Sequence, residues 1–256
     1  MSESLRGKRI LTTRPVHQST SWCVLLRAKG AQVDNIPMLA IAPLEAPEAQ
    51  QAIKNRILDF DQVEEAIFVS QNAVRYGMDW LEGYWPQLPL GPRYYAIGAA
   101  TANALSARGV QCEHSDAHMN SEDLLNLPSL QQVDDRRILI FRGSGGRTLI
   151  GNTLRERGAH VDYCELYQRT LPPDAADHLK KYHATVDAIS VHSGETLTNL
   201  SLCIEQSSLM RLRQAAIICP SQRVAKQAKD LGFPLVYPAL NASDSAMLEA
   251  MHRALC

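Results

Sequence analysis

Residues 9–33, RILTTRPVHQSTSWCVLLRAKGAQV, return as residues 137–161, RILIFRGSGGRTLIGNTLRERGAHV, and the segments around each copy recur as well. EEAIFVSQNAVRYGMDWL at 64–81 resembles VDAISVHSGETLTNLSLC at 186–203, and RYYAIGAATANALSARGV at 93–110 resembles QAAIICPSQRVAKQAKDLGF at 214–233. SEDLL at 121–125 resembles SDSAML at 243–248. A repeat of this length is a lobe rather than a solenoid turn, so the chain reads as two similar halves with the working site expected in the cleft between them.

Each repeat opens with a short apolar run, KRILTT at 8–13 and RRILIF at 136–141, which suits a buried parallel strand. A helical pattern follows and stops at a glycine, Gly30 in one copy and Gly158 in the other, before a second extended segment. The same rhythm, closing at Gly109 and Gly232, continues through the other repeats. Strands separated by single helices predict an α/β protein with parallel sheets and right-handed crossovers. Two proline-marked stretches, 37–48 and 167–175, interrupt the pattern and read as extended linkers. If the chain crosses between lobes at both, one lobe holds residues 1–37 plus 170–256 and the other 38–169. A sequential split near residue 130 accounts for the repeats equally well.

The length of 256 residues suits two domains of roughly 100–150 residues each. With 26 Lys plus Arg against 27 Asp plus Glu, the net charge of -1 provides no broad field for a nucleic acid, so none is expected as partner. An anionic ligand must therefore be caught locally. The N-terminal MSESLRGKRI has no apolar signal region, and no apolar run approaches the roughly 20 residues that span a bilayer. A cytoplasmic protein with no membrane partner is expected. The six cysteines are scattered without a C-x-x-C pair and read as reduced core thiols.

Chemistry is expected beyond the carboxyl ends of the strands, where the following helix presents unpaired N–H groups. The turns there are TTRP (12–15), SQNA (70–73), GAATA (98–102), RGSGGR (142–147), HSGET (192–196) and PSQR (220–223). Each alone is an ordinary helix cap, but six at matched positions favour capture of carboxylates or phosphates by backbone donors and helix dipoles. Arg14, Arg142, Arg147 and Arg223 lie in or beside them, and an arginine at a strand end can grip a carboxylate with two hydrogen bonds. RGSGGRT has Thr148 where a dinucleotide fingerprint needs a glycine, and no Walker lysine motif occurs. His114 and His118 flank Asp116 in a segment that reads as loop, so no metal site is assigned. Tyr167 opens the second linker, where its phenol either reaches the cleft or packs at the lobe junction.

ILTTRP, GAQVDNIP ending at Pro37, IFVSQNAV, AIGAATANAL, SEDLL, ILIFRGSGGR, LRERGAHVDYCELY ending at Tyr167 and PSQRVAKQA together resemble the uroporphyrinogen-III synthase family over essentially the whole chain. The resemblance implies two flavodoxin-like parallel-sheet lobes joined by two extended linkers, and it favours the interleaved split. It implies a lyase without cofactors or metal, working as a monomer in tetrapyrrole biosynthesis. The substrate would be hydroxymethylbilane, a linear tetrapyrrole polycarboxylate that closes with loss of water and inversion of its last ring. Carried onto this chain, the resemblance makes Tyr167 and Thr101 the catalytic hydroxyls. It makes Arg14, Ser70, Asn72, Ala73, Gly98, Arg142, Gly143, Ser193, Gly194, Thr196 and Ser221 the substrate-binding positions. Among family members with a tyrosine-arginine-arginine run, this chain differs in having Gln168 between Tyr167 and Arg169. The alternative function is a two-lobed, hinge-type binding or sensor protein without catalysis, which the same architecture would serve. A nucleotide-dependent transferase or oxidoreductase is the third reading.

Overall fold

The structure is a computed structural model describing residues 4–114 and 121–256, so Asp116 and His118 lie outside the described residues. In chain order its elements begin with β1 (Arg9–Thr12), α1 (Val16–Ala28), β2 (Gln32–Asn35), β3 (Ala40–Pro43), α2 (Pro47–Leu58), β4 (Glu65–Phe68) and α3 (Gln71–Tyr84). They continue with β5 (Arg93–Ala96), α4 (Ala99–Ser106), β6 (Glu113–His114), α5 (Ser121–Leu125), β7 (Arg137–Gly143), α6 (Leu149–Glu156) and β8 (His160–Thr170). The last are α7 (Ala175–Lys180), β9 (Ala188–Ser190), α8 (Gly194–Gln206), β10 (Ala216–Cys219), α9 (Gln222–Asp230), β11 (Val236–Pro238) and α10 (Asp244–Leu255).

Two compact units result, Met1–Ala40 with Thr170–Cys256, and Ile41–Arg169. The two proline-marked stretches are not free linkers: β3 forms in the first, which ends where Pro47 opens α2 at a position that tolerates proline, and β8 runs through Thr170 ahead of Pro172 and Pro173. The two strands are neighbours at one edge of the second unit's sheet.

In the first unit the strand order is β11-β10-β9-β1-β2, every pairing parallel. Renumbered within the unit this is 5-4-3-1-2, the flavodoxin order. Both faces of the sheet are covered, which is why its strands are apolar at successive positions. Leu11, Ile189 and Ile217 pack with Leu197, Leu200 and Val224 on one face, and Ile10, Ala188 and Ile218 pack with Trp22, Leu26 and Met247 on the other.

The second unit carries the order β3-β8-β7-β4-β5-β6, with β8 through β6 all paired in parallel. Set β3 aside and match each strand to its sequence repeat, and β8-β7-β4-β5-β6 corresponds to β2-β1-β9-β10-β11. The spatial arrangement is the same, but the β-α-β piece that starts the first unit ends the second. Gly30 and Gly158 close the matched helices α1 and α6 with φ of 91° and 87°, the left-handed region that glycine enters without a Cβ penalty. Phe68, Leu139 and Phe141 pack against Val74, Met78 and Leu105 on one face, while Ile67, Ile138 and Ile140 pack against Leu124, Ile150 and Leu154 on the other.

One charged residue breaks this apolar pattern. Glu65, the first residue of β4, is fully buried, and its Oε1 receives Arg136 at 3.1 Å and Arg93 at 3.3 Å. Burial pushes its carboxyl above the usual range, against the opposing effects of a Tyr95 hydrogen bond and the two guanidinium charges. Replacing both cations, Arg93→Ala with Arg136→Ala, leaves a buried charge uncompensated, and about 3 kcal/mol of stability should be lost at pH 8. The carboxyl pKa then rises further, so protonation relieves the buried charge more readily as the pH falls and the loss should shrink at pH 5. Urea denaturation of the double variant at the two pH values checks this, and an equal loss at both would assign the effect to packing.

Candidate active site

The carboxyl ends of β4, β5, β7 and β8 surround a cavity of about 680 Å³ within the second unit. Its polar lining comes from Ser70, Ser121, Ser144, Tyr163 and Tyr167, with Arg142, Arg147 and Arg169 as its charged groups. Among the described residues three cations and no carboxylate line this space, although the chain as a whole has a net charge of -1. That local excess is what a polyanion requires.

Tyr167 reaches the cavity through an irregularity in β8. From Arg137 to Arg142 the pairing of β7 with β8 is regular, then Arg142 faces Glu165 and Gly143 faces Tyr167. Strand alternation places Val161 and Tyr163 against α5 and α6, and Cys164 and Leu166 against α2 and α3. Without the bulge Tyr167 would return to the first face. With it, Tyr167 joins Leu166 in the cluster on the α3 side.

There the phenol is held on every side. Its ring stacks on Tyr76 of α3, with centroids 5.6 Å apart. Its carbonyl accepts the Ser144 N–H at 2.7 Å, and its Oη lies 2.8 Å from Ser70 Oγ. Ser70 is the N-cap of α3 and accepts the Ala73 N–H at 3.1 Å. The ring also lies close to Gly143, where an added Cβ would stand 2.5 Å from Tyr167 Cε2.

Arg142 is almost wholly buried, and the glycine-rich loop wraps around it. Its Nε donates to the Gly143 carbonyl at 3.1 Å and its Nη1 to the Arg147 carbonyl at 3.0 Å, while the guanidinium lies 4.7 Å from the Tyr163 ring centroid. Glu165 Oε1 stands 3.8 Å away. In this loop main-chain carbonyls turn toward a cation, the reverse of a phosphate cradle, which disfavours the nucleotide reading of RGSGGRT.

Of the expected site residues, Ser70, Arg142, Gly143 and Tyr167 line the cavity together. Asn72, Ala73, Gly98 and Thr101 belong to the adjoining helix starts without lining it: Ala73 and Thr101 are buried, and Gly98 is the N-cap of α4 with φ of 75°. Arg14, Ser193, Gly194, Thr196 and Ser221 lie in the first unit, also at the carboxyl ends of strands. Ser193 and Thr196 form a capping box on α8, and Ser221 caps α9, so these hydroxyls serve their own helices. Gly194 admits the Gln227 side chain, whose Nε2 donates to its carbonyl at 3.0 Å. Arg14 pairs with Asp244 at 2.8 Å and sits over Trp22. His192 beside it makes an edge-on contact with Trp22, and burial followed by the Arg14 charge pushes its pKa down to about 3, keeping the imidazole neutral.

Sequence reasoning missed Tyr76 and Tyr163. The helical run of α3 marks Tyr76 as an ordinary partly buried residue, and Tyr163, in the regular part of β8, reads as an ordinary strand residue until Arg142 is seen to rest on its ring. Among the described residues no group of His, Cys, Asp and Glu is arranged to hold a metal, and no helix is long and apolar enough to cross a membrane. All six cysteines are free, four of them buried.

The family model described as Uroporphyrinogen-III synthase HemD matches residues 21–249. The chain belongs to the uroporphyrinogen-III synthase family. It is 34% identical over 247 residues to uroporphyrinogen-III synthase of Salmonella typhimurium, covering 94% of this chain and 99% of that one. Against the Escherichia coli uroporphyrinogen-III synthase it is 34% identical over 250 residues, covering 94% and 99%. The fold matches a mutant uroporphyrinogen III synthase from Thermus thermophilus with a TM-score of 0.57 at 20% identity, over 97% of this chain and 99% of that chain. It matches uroporphyrinogen-III synthetase from Helicobacter pylori with a TM-score of 0.58 at 14% identity, over 95% and 98%. A cyclising lyase of porphyrin biosynthesis follows from membership of this family, and the sensor reading has no support among these relatives.

The close approach of Gly143 to Tyr167 is testable. Gly143→Ala should displace the phenol from Ser70 and cost about 1–3 kcal/mol by overpacking. Activity should fall while the protein stays folded at 25 °C, as circular dichroism and turnover assays will report; full activity would mean that the ring has room to move without consequence.

Proposed function

We propose that this protein closes hydroxymethylbilane to uroporphyrinogen III, with Tyr167 as the hydroxyl that meets the departing water. The observation that carries the reading is the phenol of Tyr167, fixed by Ser70, Tyr76 and Gly143 at the wall of an arginine-lined cavity.

The chemistry asks little of any single group. As the hydroxymethyl C–O bond breaks, the pyrrole nitrogen lone pair forms an azafulvene and the oxygen leaves as water after taking a proton. The substituted carbon of the last pyrrole attacks the new electrophile and gives a spiro intermediate. Reopening and reclosure through the free carbon of that ring invert it, and loss of the proton on that carbon restores aromaticity. The linear substrate closes unaided to the symmetrical isomer, so the protein acts mainly by fixing conformation, and a weak acid near the leaving oxygen is sufficient.

Tyr167 supplies that acid, and Thr101 provides a second hydroxyl in the first turn of α4. Ring carboxylates are taken up by the turns around Ser70, Asn72, Ala73, Gly98, Arg142 and Gly143 in one unit and by Arg14, Ser193, Gly194, Thr196 and Ser221 in the other. Arg142 contributes by holding the shape of its loop, since its Nε and Nη1 are occupied by main-chain carbonyls. The two units are the family's two lobes, and the enzyme works as a cytoplasmic monomer on a small molecule, without a nucleic-acid partner.

Purified protein incubated with hydroxymethylbilane should yield the type III isomer on chromatographic separation; type I alone would overturn the reading. Tyr167→Phe should lower kcat about a hundredfold with an unchanged melting temperature. A wild-type rate would reduce Tyr167 to a packing residue.

A further inference from the structure

An acid is useful only if its proton points at the leaving group, and the neighbour of Tyr167 decides that. Ser70 Oγ has two partners, the Ala73 N–H at 3.1 Å and the Tyr167 Oη at 2.8 Å. A main-chain amide can only donate, so toward Ala73 the serine oxygen is an acceptor. Its own proton is then available for the phenol. If the phenol donated instead, the serine oxygen could accept both bonds with its two lone pairs, but its own proton would then lack a partner among the described residues.

Electrostatics favours the first arrangement. Ser70 caps the positive end of α3, a helix of 14 residues, and accepting an amide proton there polarises its O–H into a better donor. A phenol that accepts such a bond is in turn a better donor through its remaining O–H. Its ring is packed against Tyr76 and close to Gly143, which limits its movement.

We propose that Ser70 is a positioning residue acting through Tyr167: it accepts the Ala73 N–H, donates to the Tyr167 oxygen, and so turns the phenolic proton into the cavity. The proposal rests on the reading of Tyr167 as the acid and deepens it. When the C–O bond of the substrate breaks, the Tyr167 proton passes to the departing oxygen to complete water. The resulting phenolate keeps the Ser70 hydrogen bond as a stabilising contact. The proton shed by the pyrrole carbon at final closure restores the phenol, so no external acid or base is consumed. The Ser70 hydroxyl is thereby committed to Tyr167, and a ring carboxylate at this turn is left to its main-chain amides; a serine that gripped the carboxylate itself would donate its proton to substrate and leave Tyr167 without an orienting partner.

Steady-state kinetics on five variants test this. Ser70→Ala should lower kcat about tenfold, the worth of one hydrogen bond, with KM little changed. Ser70→Thr keeps the hydroxyl and should restore the rate. Ser70→Asp caps α3 at least as well and should keep the melting temperature, yet its carboxylate can only accept. It draws the phenolic proton back, so its kcat should lie below that of Ser70→Ala. In a Tyr167→Phe background, adding Ser70→Ala should change nothing further. A loss that multiplies in that background, or one that appears in KM, would overturn the proposal and make Ser70 a direct substrate contact. An Asp variant faster than the Ala variant would overturn the assigned direction of the bond. A Tyr167→Phe enzyme with the wild-type rate would instead remove the acid reading itself, and the Ser70 proposal with it.

Discussion

The site depends on a slip of one residue in a strand ladder. Side chains alternate along β8 with a period of two, and that rule sends Tyr163 and Tyr167 to the same face of the sheet. The bulge opposite Arg142 and Gly143 places Tyr167 on the α3 face instead, where Ser70 and Tyr76 wait. Gly143 makes the arrangement possible because a side chain there would occupy the space of the phenol ring. Bulges near strand ends re-aim side chains in this way, and here the re-aimed group is the tyrosine proposed as the acid.

Charge is organised with the same economy. The protein is almost neutral, yet among the described residues the cavity beside Tyr167 is lined by three arginines and by no acid. One of them, Arg142, is directed inward and braces the loop that follows β7, with its guanidinium resting on Tyr163. A cation fixed by main-chain carbonyls contributes both shape and positive potential to the cavity wall. Elsewhere the fold tolerates buried charge only when it is paired, as with Glu65 between Arg93 and Arg136.

The two sheets explain why the repeats are legible and why their order misleads. Both units place their matched strands in one spatial sequence, but the piece formed by β7, α6 and β8 comes last in its unit while its counterpart β1, α1 and β2 comes first. Strand length, helix caps and closing glycines such as Gly30 and Gly158 are local properties and survive that rearrangement. The first unit shows the other side of the same point. Its hydroxyls at Ser193, Thr196 and Ser221 carry the sequence signature of anion-binding turns, and in the structure they cap α8 and α9.

The sequence by itself determined the parallel α/β class, the doubling of the fold, the interruption of its rhythm near residues 37–48 and 167–175, and the place of the turns at the carboxyl ends of strands. Each of these follows from period, composition or a cap, which act over a few residues and leave their mark in the chain. Motifs spread over the whole length were also enough to point to the family. Only the tertiary structure decided which turns share one cavity, that Arg142 turns into its own loop, that Arg14 is taken by Asp244, and that Tyr167 meets Ser70 from 97 residues away. Those outcomes depend on strand register and on long-range packing, and a single-residue slip in register changes the face of every side chain beyond it without altering a letter of the local pattern.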